Sequence, residues 1–562
     1  MKKWLGPALA APATLWLLAS FAAPFLMVVL MAMQAESDPF APLSLIPSAT
    51  QFRAIFEDNF YVSVLLKTTG LAALVCAITT LLAYPLALWI VSLAPKWRPL
   101  AISAVLVPLL INVVVRSLGI ELLLAPDGLI NMLLAAVSLP RATAMLYNYG
   151  AIAVGLVQVF LPFMVLALYD GLQSTSPRVL EAARSLGASR TAQFFFVELP
   201  MSLPGLRAGL TFVFLMASTT YVSARMLGGK KAFTTGMLVW QEVLENLNGQ
   251  FAAALALMMT AIAVAAAFLI ATGMGRLTPW LELRPARARS VPPALMTTLD
   301  VVAPILARVL IAIALMLLLL PLVLVFVQSF NDVPQATMAG FRGFTLRWYE
   351  QILSSGLYFD SFWTSLQLAV TTSLITVLIA TAAAFALVRT QFVGKTAAAA
   401  FWMFPMSLPQ VAVGLGMLRL LQVFTALPAF LSLVLVHVTI ALPFCIGLLR
   451  VSVQQLDLAQ EEAANSLGAG PLVRIWHIIL PGLAPGLAAA GIVALLLSFE
   501  EVTITSFLTT ARMTTLPVRI YAEASYSLEP TVYAISTFII VLTVGAMLAL
   551  GRVMRLDRVF SR

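Results

Sequence analysis

Ionisable side chains are scarce in this sequence, because Asp, Glu, Lys and Arg make up 10% of the 562 residues while 61% are hydrophobic. A soluble chain of this length could not bury so much apolar surface in its own cores, so the composition indicates that the lipid bilayer surrounds much of the chain. Cysteine is almost absent, and Cys76 and Cys445 both lie in apolar stretches. This pair provides neither a disulfide framework nor a metal-binding spacing, and we expect two buried free thiols.

Two further absences limit the function. The sequence has no GxxxxGK[ST] loop, which a chain that binds ATP would need to hold the phosphates. Its polar loops are too short to form a folded domain and contain no catalytic constellation. We therefore expect neither an enzyme nor a chain with its own cofactor or metal. The net charge of +9 is better explained by basic cytoplasmic loops than by a nucleic-acid partner.

The long apolar runs predict an all-α membrane protein, because a spanning helix needs about 20 mostly apolar residues. About twelve segments qualify: 12–33, 64–92, 99–124, 147–171, 205–227, 251–274, 301–328, 363–389, 398–424, 427–450, 486–508 and 531–551. If the N-terminus is inside, most of the 33 basic residues fall on the cytoplasmic side, which predicts that both termini are cytoplasmic. We interpret the first segment as an uncleaved helix, since it is too long for a signal peptide and has no clear cleavage site.

The chain contains an internal repeat. Residues 180–205, LEAARSLGASRTAQFFFVELPMSLPG, recur as EEAANSLGAGPLVRIWHIILPGLAPG at 461–486, an offset of 281. Further upstream the best offset is nearer 296, which predicts an insertion of about fifteen residues in the outer segment 125–146. We divide the chain into a first half at 1–275, a cytoplasmic linker at 276–300 and a second half at 301–562.

Each copy of the repeat predicts two short helices that meet at a glycine. Ser176 or Asp457 can cap the first helix, and Gly187 or Gly468 can end it. The second helix should stop at Pro200 or Pro481, because proline cannot continue a helix. Such an element outside the membrane can fit a groove on a soluble partner.

The repeated loop resembles the coupling-loop signature of ABC importer permeases. The matching residues are Glu181, Ala182, Ala183, Gly187, Leu199 and Pro200 in the first half, and Glu462, Ala463, Ala464, Gly468, Leu480 and Pro481 in the second. The resemblance implies a type I importer permease of two six-helix halves, with the N-terminal helix of each half outside a five-helix core. It also implies a bacterial inner-membrane location, two ABC ATPase subunits that bind ATP and magnesium, and an extracytoplasmic solute-binding protein.

Within that family the chain is most similar to the two permeases of spermidine/putrescine importers. The first half resembles one of them in VPLLINVVVRSLG at 107–119, and the second resembles the other in QSFN at 328–331 and SFEEVTITSFLTT at 498–510. Fused permeases for 2-aminoethylphosphonate and for ferric iron are related, so the solute stays open.

Ionisable residues inside apolar spans suggest a solute pathway, because charge in the membrane is costly. Glu500 and Glu501 are the main case, and the offset of 281 maps them onto Thr219 and Thr220. We predict that one of the carboxylates attracts an ammonium group, the alternative being that they form a structural pair or cap local backbone. Arg225, together with Arg116 and Asn112, suits an anionic or zwitterionic solute better than a polycation.

Two other classes of function stay open. A secondary transporter is also built from repeats but needs no ATPase, and the two matched loops argue against it. A membrane scaffold that only recruits ATPases is disfavoured by the carboxylates and prolines inside the spans.

Overall fold

Helices follow one another along the computed structural model of this chain, which describes residues 2–35, 46–142, 144–173, 177–276, 293–336, 340–423, 427–510, 513–526 and 529–554. The helices of the first half are α1 Leu5–Ala32, α2 Thr50–Glu57, α3 Asn59–Ser92, α4 Arg98–Leu109, α5 Val113–Leu124, α6 Leu129–Ala136, α7 Tyr149–Gln173, α8 Pro177–Ser185, α9 Arg190–Ser218, α10 Val222–Gly228, α11 Thr235–Leu244 and α12 Gly249–Arg276.

The second half repeats this order from the end of the linker, whose residues 277–292 lie outside the described part of the chain. Its helices are α13 Pro293–Gln328, α14 Arg347–Ser354, α15 Gly356–Arg389, α16 Lys395–Met403, α17 Gln410–Val423, α18 Ala429–Gln454, α19 Leu458–Ser466, α20 Pro471–Glu500, α21 Thr505–Leu508, α22 Leu516–Tyr526 and α23 Thr531–Met554. Every helix of the first half except α6 has a counterpart. The offset is 297 up to α5 and α17 and 281 after α6, so the predicted insertion is sixteen residues long and contains α6.

Within the described residues, ten helical segments are long and apolar enough to cross a membrane, one of which, Val113–Ala136, comprises α5 and α6 together. The bent pair Lys395–Met406 and Gln410–Val423 forms a further broken or re-entrant segment. Leucines on the outer faces of these helices are exposed, among them Leu66, Leu269, Leu374 and Leu378. Exposed apolar surface on spanning helices fits contact with lipid. The chain is a multi-pass, all-α membrane protein, as the sequence predicts.

Four predicted spans need correction, because the helices break inside them. The ninth, 398–424, is the bent pair just described, in which α16 ends at Met403 and α17 begins at Gln410. The third, 99–124, stops at Leu109 and restarts at Val113, where the side chain of Asn112 accepts a hydrogen bond from the amide of Val114. The fifth and eleventh, 205–227 and 486–508, end at Ser218 and Glu500, before the short helices α10 and α21 begin. Hydropathy alone does not detect these breaks, since the residues on both sides are apolar.

The compact units of the fold do not coincide with the sequence halves. One unit consists of Met1–Ala54, Val239–Leu257 and Leu353–Ala522, and the other of Ile55–Leu238, Met258–Ile352 and Glu523–Arg562. Each unit therefore takes the N-terminal helix of one half and the central helices of the other. The boundary between the halves at 276–300 remains a prediction from the sequence repeat. The compact units, by contrast, are defined by packing, and each contains helices from both halves.

In the first of these units α1 packs on α15, α17 and α18. The indole of Trp16 donates to the carbonyl of Leu435 at 3.3 Å, and the hydroxyls of Ser20 and Thr439 lie 2.5 Å apart. A Cβ added to Gly416 would lie 2.2 Å from the carbonyl oxygen of Pro24. Only glycine allows the two backbones to approach this closely.

The second unit repeats the same crossing with the corresponding residues. Here α13 packs on α3, α4 and α5, and a Cβ added to Gly119 would lie 2.3 Å from the carbonyl oxygen of Pro321. Gly119 and Gly416 are 297 residues apart, as are Pro24 and Pro321. The exchange of N-terminal helices is thus a property of both copies of the repeat.

Gly416→Ala tests the crossing, because the new methyl group would meet backbone that cannot move aside. We expect the free energy of unfolding to fall by about 1–3 kcal/mol, the usual cost of overpacking a tight core. The matched control is Gly447→Ala in α18, where an added Cβ meets nothing within 4 Å and stability should hold or rise slightly. Thermal unfolding of the purified protein in detergent measures both, and equal midpoints for the two variants would contradict the close approach.

Candidate functional site: two repeated loops and two broken spans

The two repeated loops have the same backbone conformation. Helices α8 and α19 end in a glycine with positive φ, +82° at Gly187 and +81° at Gly468. The side chain of Asp457 caps α19 by accepting from the amide of Ala459, which confirms the predicted cap. The other predicted cap, Ser176, lies outside the described residues.

The hydrogen bonds that close the two loops also correspond one to one. The amide of Ala188 donates to the carbonyl of Ala183 at 3.0 Å, and that of Ala469 donates to Ala464 at the same distance. The glycine amides donate to the carbonyls of Arg184 and Asn465. Together these form a Schellman motif, which satisfies the last carbonyls of a helix and needs the left-handed conformation that glycine adopts most easily. The glycine of each loop therefore has a geometric reason to be there.

The predicted stop at Pro200 and Pro481 is wrong. In both copies the second short helix continues through the proline into the spanning helix, so that α9 and α20 are uninterrupted from loop to membrane. Five residues of π-helix, Phe194–Glu198 and Ile475–Ile479, precede Leu199 and Leu480. The wider turn accommodates the missing amide hydrogen of the proline, a local adjustment that sequence rules for proline do not foresee.

The bend of each loop carries an exposed leucine. Leu186 and Leu467 directly precede the glycines and have 89% and 88% of their surface exposed. Glu181, Ala182, Glu462 and Ala463 are also exposed. A large apolar side chain exposed at the same tip of two repeated loops is typical of a surface that binds another protein.

The break after α20 is closed by Glu501. Its carboxylate accepts hydrogen bonds at 2.8 Å from the backbone amides of Ile504 and Thr505, and the hydroxyl of Thr505 also donates to it. The residue is buried, with 7% of its surface exposed. Glu501 therefore acts as the N-terminal cap of α21, which is the capping alternative considered from the sequence.

A buried histidine connects both sides of the same break. The imidazole of His437 lies 2.8 Å from the hydroxyl of Ser498, before the break, and 2.9 Å from that of Thr505, after it. Both hydroxyls and the imidazole are at most 5% exposed. This network joins α18, α20 and α21 through side-chain hydrogen bonds.

The corresponding break in the first half is held by different chemistry. Thr219 and Thr220 both donate their hydroxyls to the carbonyl of Met216. The residues 281 positions before His437, Ser498 and Thr505 are Leu156, Ala217 and Ala224, all apolar. The first half thus has three buried apolar residues where the second half has the polar network. Sequence reasoning missed Ser498 and Thr505, which stand out only when the two halves are compared.

The basic candidate residues lie on α5 and α10 of one unit. Arg116 is buried on α5, one turn after the cap formed by Asn112, and Arg225 is partly buried on α10. The hydroxyl of Ser117 donates to that of Ser223 at 3.0 Å, so the two helices are in contact. The structure therefore places Asn112, Arg116 and Arg225 on neighbouring helices. Glu500 and Glu501 belong to the other compact unit, where Glu500 is partly buried at the end of α20.

A chain with duplicated loops, broken spans and exchanged N-terminal helices is a membrane permease built from two homologous halves. The sequence profile of the family described as binding-protein-dependent transport system inner membrane component matches it twice, at residues 129–282 and 394–556. The chain belongs to this family of ABC importer permeases, and it is a transporter component rather than an enzyme.

Two polyamine-transport permeases are similar to parts of this chain. The spermidine/putrescine transport system permease protein PotB of Haemophilus influenzae is 34% identical over 198 residues, covering 35% of this chain and 68% of that protein. PotC of Escherichia coli is 29% identical over 227 residues, covering 40% and 85%. A crystal structure of a bacterial alginate ABC transporter aligns with 49% of this chain and 95% of its own at 18% identity, with a TM-score of 0.42.

Removing the imidazole tests the buried network. His437→Leu takes a hydrogen-bond partner from two buried hydroxyls, so we expect a loss of about 1–3 kcal/mol in the free energy of unfolding. The double variant His437→Leu, Ser498→Ala should recover part of this loss, since the hydroxyl of Ser498 is removed together with its partner while Thr505 keeps its hydrogen bond to Glu501. Unfolding in denaturant measures both variants, and a double variant less stable than the single one would contradict this account.

Proposed function

We propose that this chain is the two-half permease of an ATP-driven importer for a small amine-bearing solute, with polyamines such as spermidine or putrescine as the first candidates. The observation that carries the proposal is the repeated loop, which has one backbone geometry and one exposed leucine in both copies. ATP and magnesium are bound by the partner subunits in this scheme, and the chain itself needs no cofactor.

The two loops are the proposed docking sites for two ABC ATPase subunits. The exposed residues Leu186 and Leu467 provide an apolar contact, while Gly187 and Gly468 fix the bend that presents them. Because α9 and α20 run without interruption from the loops into the membrane, a displacement of either loop moves a spanning helix directly. Docking on these loops requires them to be cytoplasmic, which also places both termini in the cytoplasm.

A solute-binding protein on the opposite side delivers the solute in this scheme. Support for it comes from the family, whose members depend on a binding protein. The outer segments 226–250 and 509–530 are the proposed contacts, with exposed Lys230 and Lys231 available to an acidic surface.

We propose different roles for the two carboxylates that are candidates for the solute pathway. Glu501 is occupied by the cap of α21, so its loss would alter the fold of the break itself. Glu500 ends α20 at the adjacent position, where it is partly buried. Because the carboxylate of Glu501 already accepts hydrogen bonds from the amides of Ile504 and Thr505, we assign Glu500 as the residue that attracts an ammonium group. Similarity to PotB and PotC favours a polyamine as the molecule that carries it.

A second candidate is a solute that carries both an amine and an anionic group, such as 2-aminoethylphosphonate. The observation that favours it is the pair Arg116 and Arg225 on the contacting helices α5 and α10. In the second half the corresponding residues are Val413 and Ser506, which carry no charge. Thermal-shift assays of the partner solute-binding protein separate the two candidates. Binding of a phosphonate or an amino acid would favour Arg116 and Arg225 as solute contacts, whereas binding of a polyamine would assign both arginines a structural role.

Charged substitutions at the loop tips test the docking of the ATPases. We expect Leu186→Asp or Leu467→Asp to weaken the affinity for the ATPase subunits by at least about tenfold, because a charge would be buried in an apolar contact. The matched control is Val393→Asp, fully exposed between α15 and α16 but outside both loops. Co-purification and ATP hydrolysis stimulated by the binding protein measure the effect. A normal complex from both loop variants would reject the loops as docking sites and favour another mode of assembly with the ATPases.

Neutral variants of the carboxylates test the pathway. Glu500→Gln should lower solute uptake about tenfold or more, because an ion pair with the solute is lost. Glu501→Gln should lower the midpoint of thermal unfolding, since a neutral amide accepts more weakly from the amides of α21. Normal uptake by the double variant Glu500→Gln, Glu501→Gln would exclude both residues from the pathway.

A further inference from the structure

The two loops share a backbone but are held to the rest of the protein by different contacts. Around the first loop, the side chain of Asp300 accepts a hydrogen bond from the backbone amide of Thr191 at 3.0 Å. Thr191 lies in the first turn of α9, whose amides have no acceptor within the helix. Asp300 belongs to α13, so the first loop is fastened to the exchanged helix that begins the second half.

The second loop is fastened by an arginine of its own half. Arg389, the last residue of α15, forms a salt bridge of 3.1 Å with Glu461 of α19. Both side chains are largely buried, at 19% and 22% exposure. The same guanidinium also donates to the carbonyl of Leu456, just before α19.

Neither contact can form in the other copy. The residue 297 positions before Asp300 is Lys3, of opposite charge, and those corresponding to Arg389 and Glu461 are Ser92 and Leu180. At the start of α20, Gly470 and Pro471 replace Ser189 and Arg190, so the second copy lacks both the capping hydroxyl and the first amide hydrogen of α9.

The contact at Asp300 continues into the membrane. Pro321 lies on the same helix, about 30 Å further along at 1.5 Å per residue. Its carbonyl presses against Gly119 of α5, too close for any other side chain. Helix α5 begins at the cap of Asn112 and carries Arg116. A displacement of the first loop therefore has a continuous path of direct contacts through α13 to α5.

We propose that Asp300 is a positioning residue that couples the first docking loop to the exchanged helix α13, and that the two docking loops are therefore coupled unequally to the transport cycle. The inference rests on the proposed function of these loops. The first loop acts through a hydrogen bond to a helix of the other half, and the second through an ion pair within its own half. Closure of the two ATPases is then transmitted through a different contact at each loop.

The test uses the full complex with its ATPases and binding protein in proteoliposomes and measures solute imported per ATP hydrolysed. We expect Asp300→Asn to lower this ratio about threefold, the scale of one partly exposed charged hydrogen bond, while the complex still co-purifies. Asp300→Glu, which keeps the charge, should restore most of the ratio. A control for loss of a carboxylate is Asp360→Asn, exposed at the start of α15 and more than 40 Å along that helix from Arg389.

The outcomes separate this inference from the proposed function. If the wild-type complex imports solute but Asp300→Asn keeps the wild-type ratio of solute imported to ATP hydrolysed, the coupling role of Asp300 is rejected. The proposed docking function of the two loops is not affected by that result. If Asp300→Glu and Asp300→Asn are equally impaired, charge at this position is not what couples the loop, and the inference also fails. A wild-type complex that hydrolyses ATP without import would reject the proposed function itself.

Discussion

Backbone amides inside a membrane must find acceptors within the protein, and this constraint explains most of the polar chemistry in the structure. Each break in a spanning helix leaves such amides exposed at the start of the next helix. Asn112 supplies the acceptor at α5 and Glu501 at α21. Hydroxyls of the second span do the same for the outer helices, since Thr68 accepts from the amide of Thr235 and Ser365 from that of Leu516. These polar residues in apolar spans therefore accept hydrogen bonds from backbone amides at the starts of helices.

The two halves share the order and bounds of their helices but differ in the side-chain contacts between them. Helices α2 and α14, or α8 and α19, have matching bounds at the two offsets, whereas His437, Ser498, Arg389 and Glu461 all correspond to apolar or uncharged residues in the first half. Backbone geometry is constrained by packing in both halves, but a side-chain contact needs only to satisfy its own neighbours. Differences of role between the halves can consequently arise from the side-chain contacts that only one half makes.

The sequence was sufficient for the class of protein, the repeat, the insertion and the two glycine bends, because each depends on composition or on a local pattern. It failed at Pro200 and Pro481, where a π-helical turn lets the chain continue, and at the ends of the fifth and eleventh spans, where breaks occur among apolar residues. The capping role of Glu501 was only one of two alternatives, since a carboxylate that binds an ammonium group and one that binds two amides look alike in sequence. The contact of Asp300 with Thr191 joins residues 109 positions apart and has no local signal.

The exchange of N-terminal helices also constrains how the chain can fold. Trp16 of α1 bonds to Leu435, 419 residues later, so α1 cannot reach its final packing until α18 has been made. Until then its buried face must remain in lipid or in a temporary contact, which the apolar character of α1 permits. Pro321 of α13, by contrast, meets helices that already precede it in the chain. The unit that contains α13 therefore has most of its parts available earlier in synthesis than the unit that contains α1.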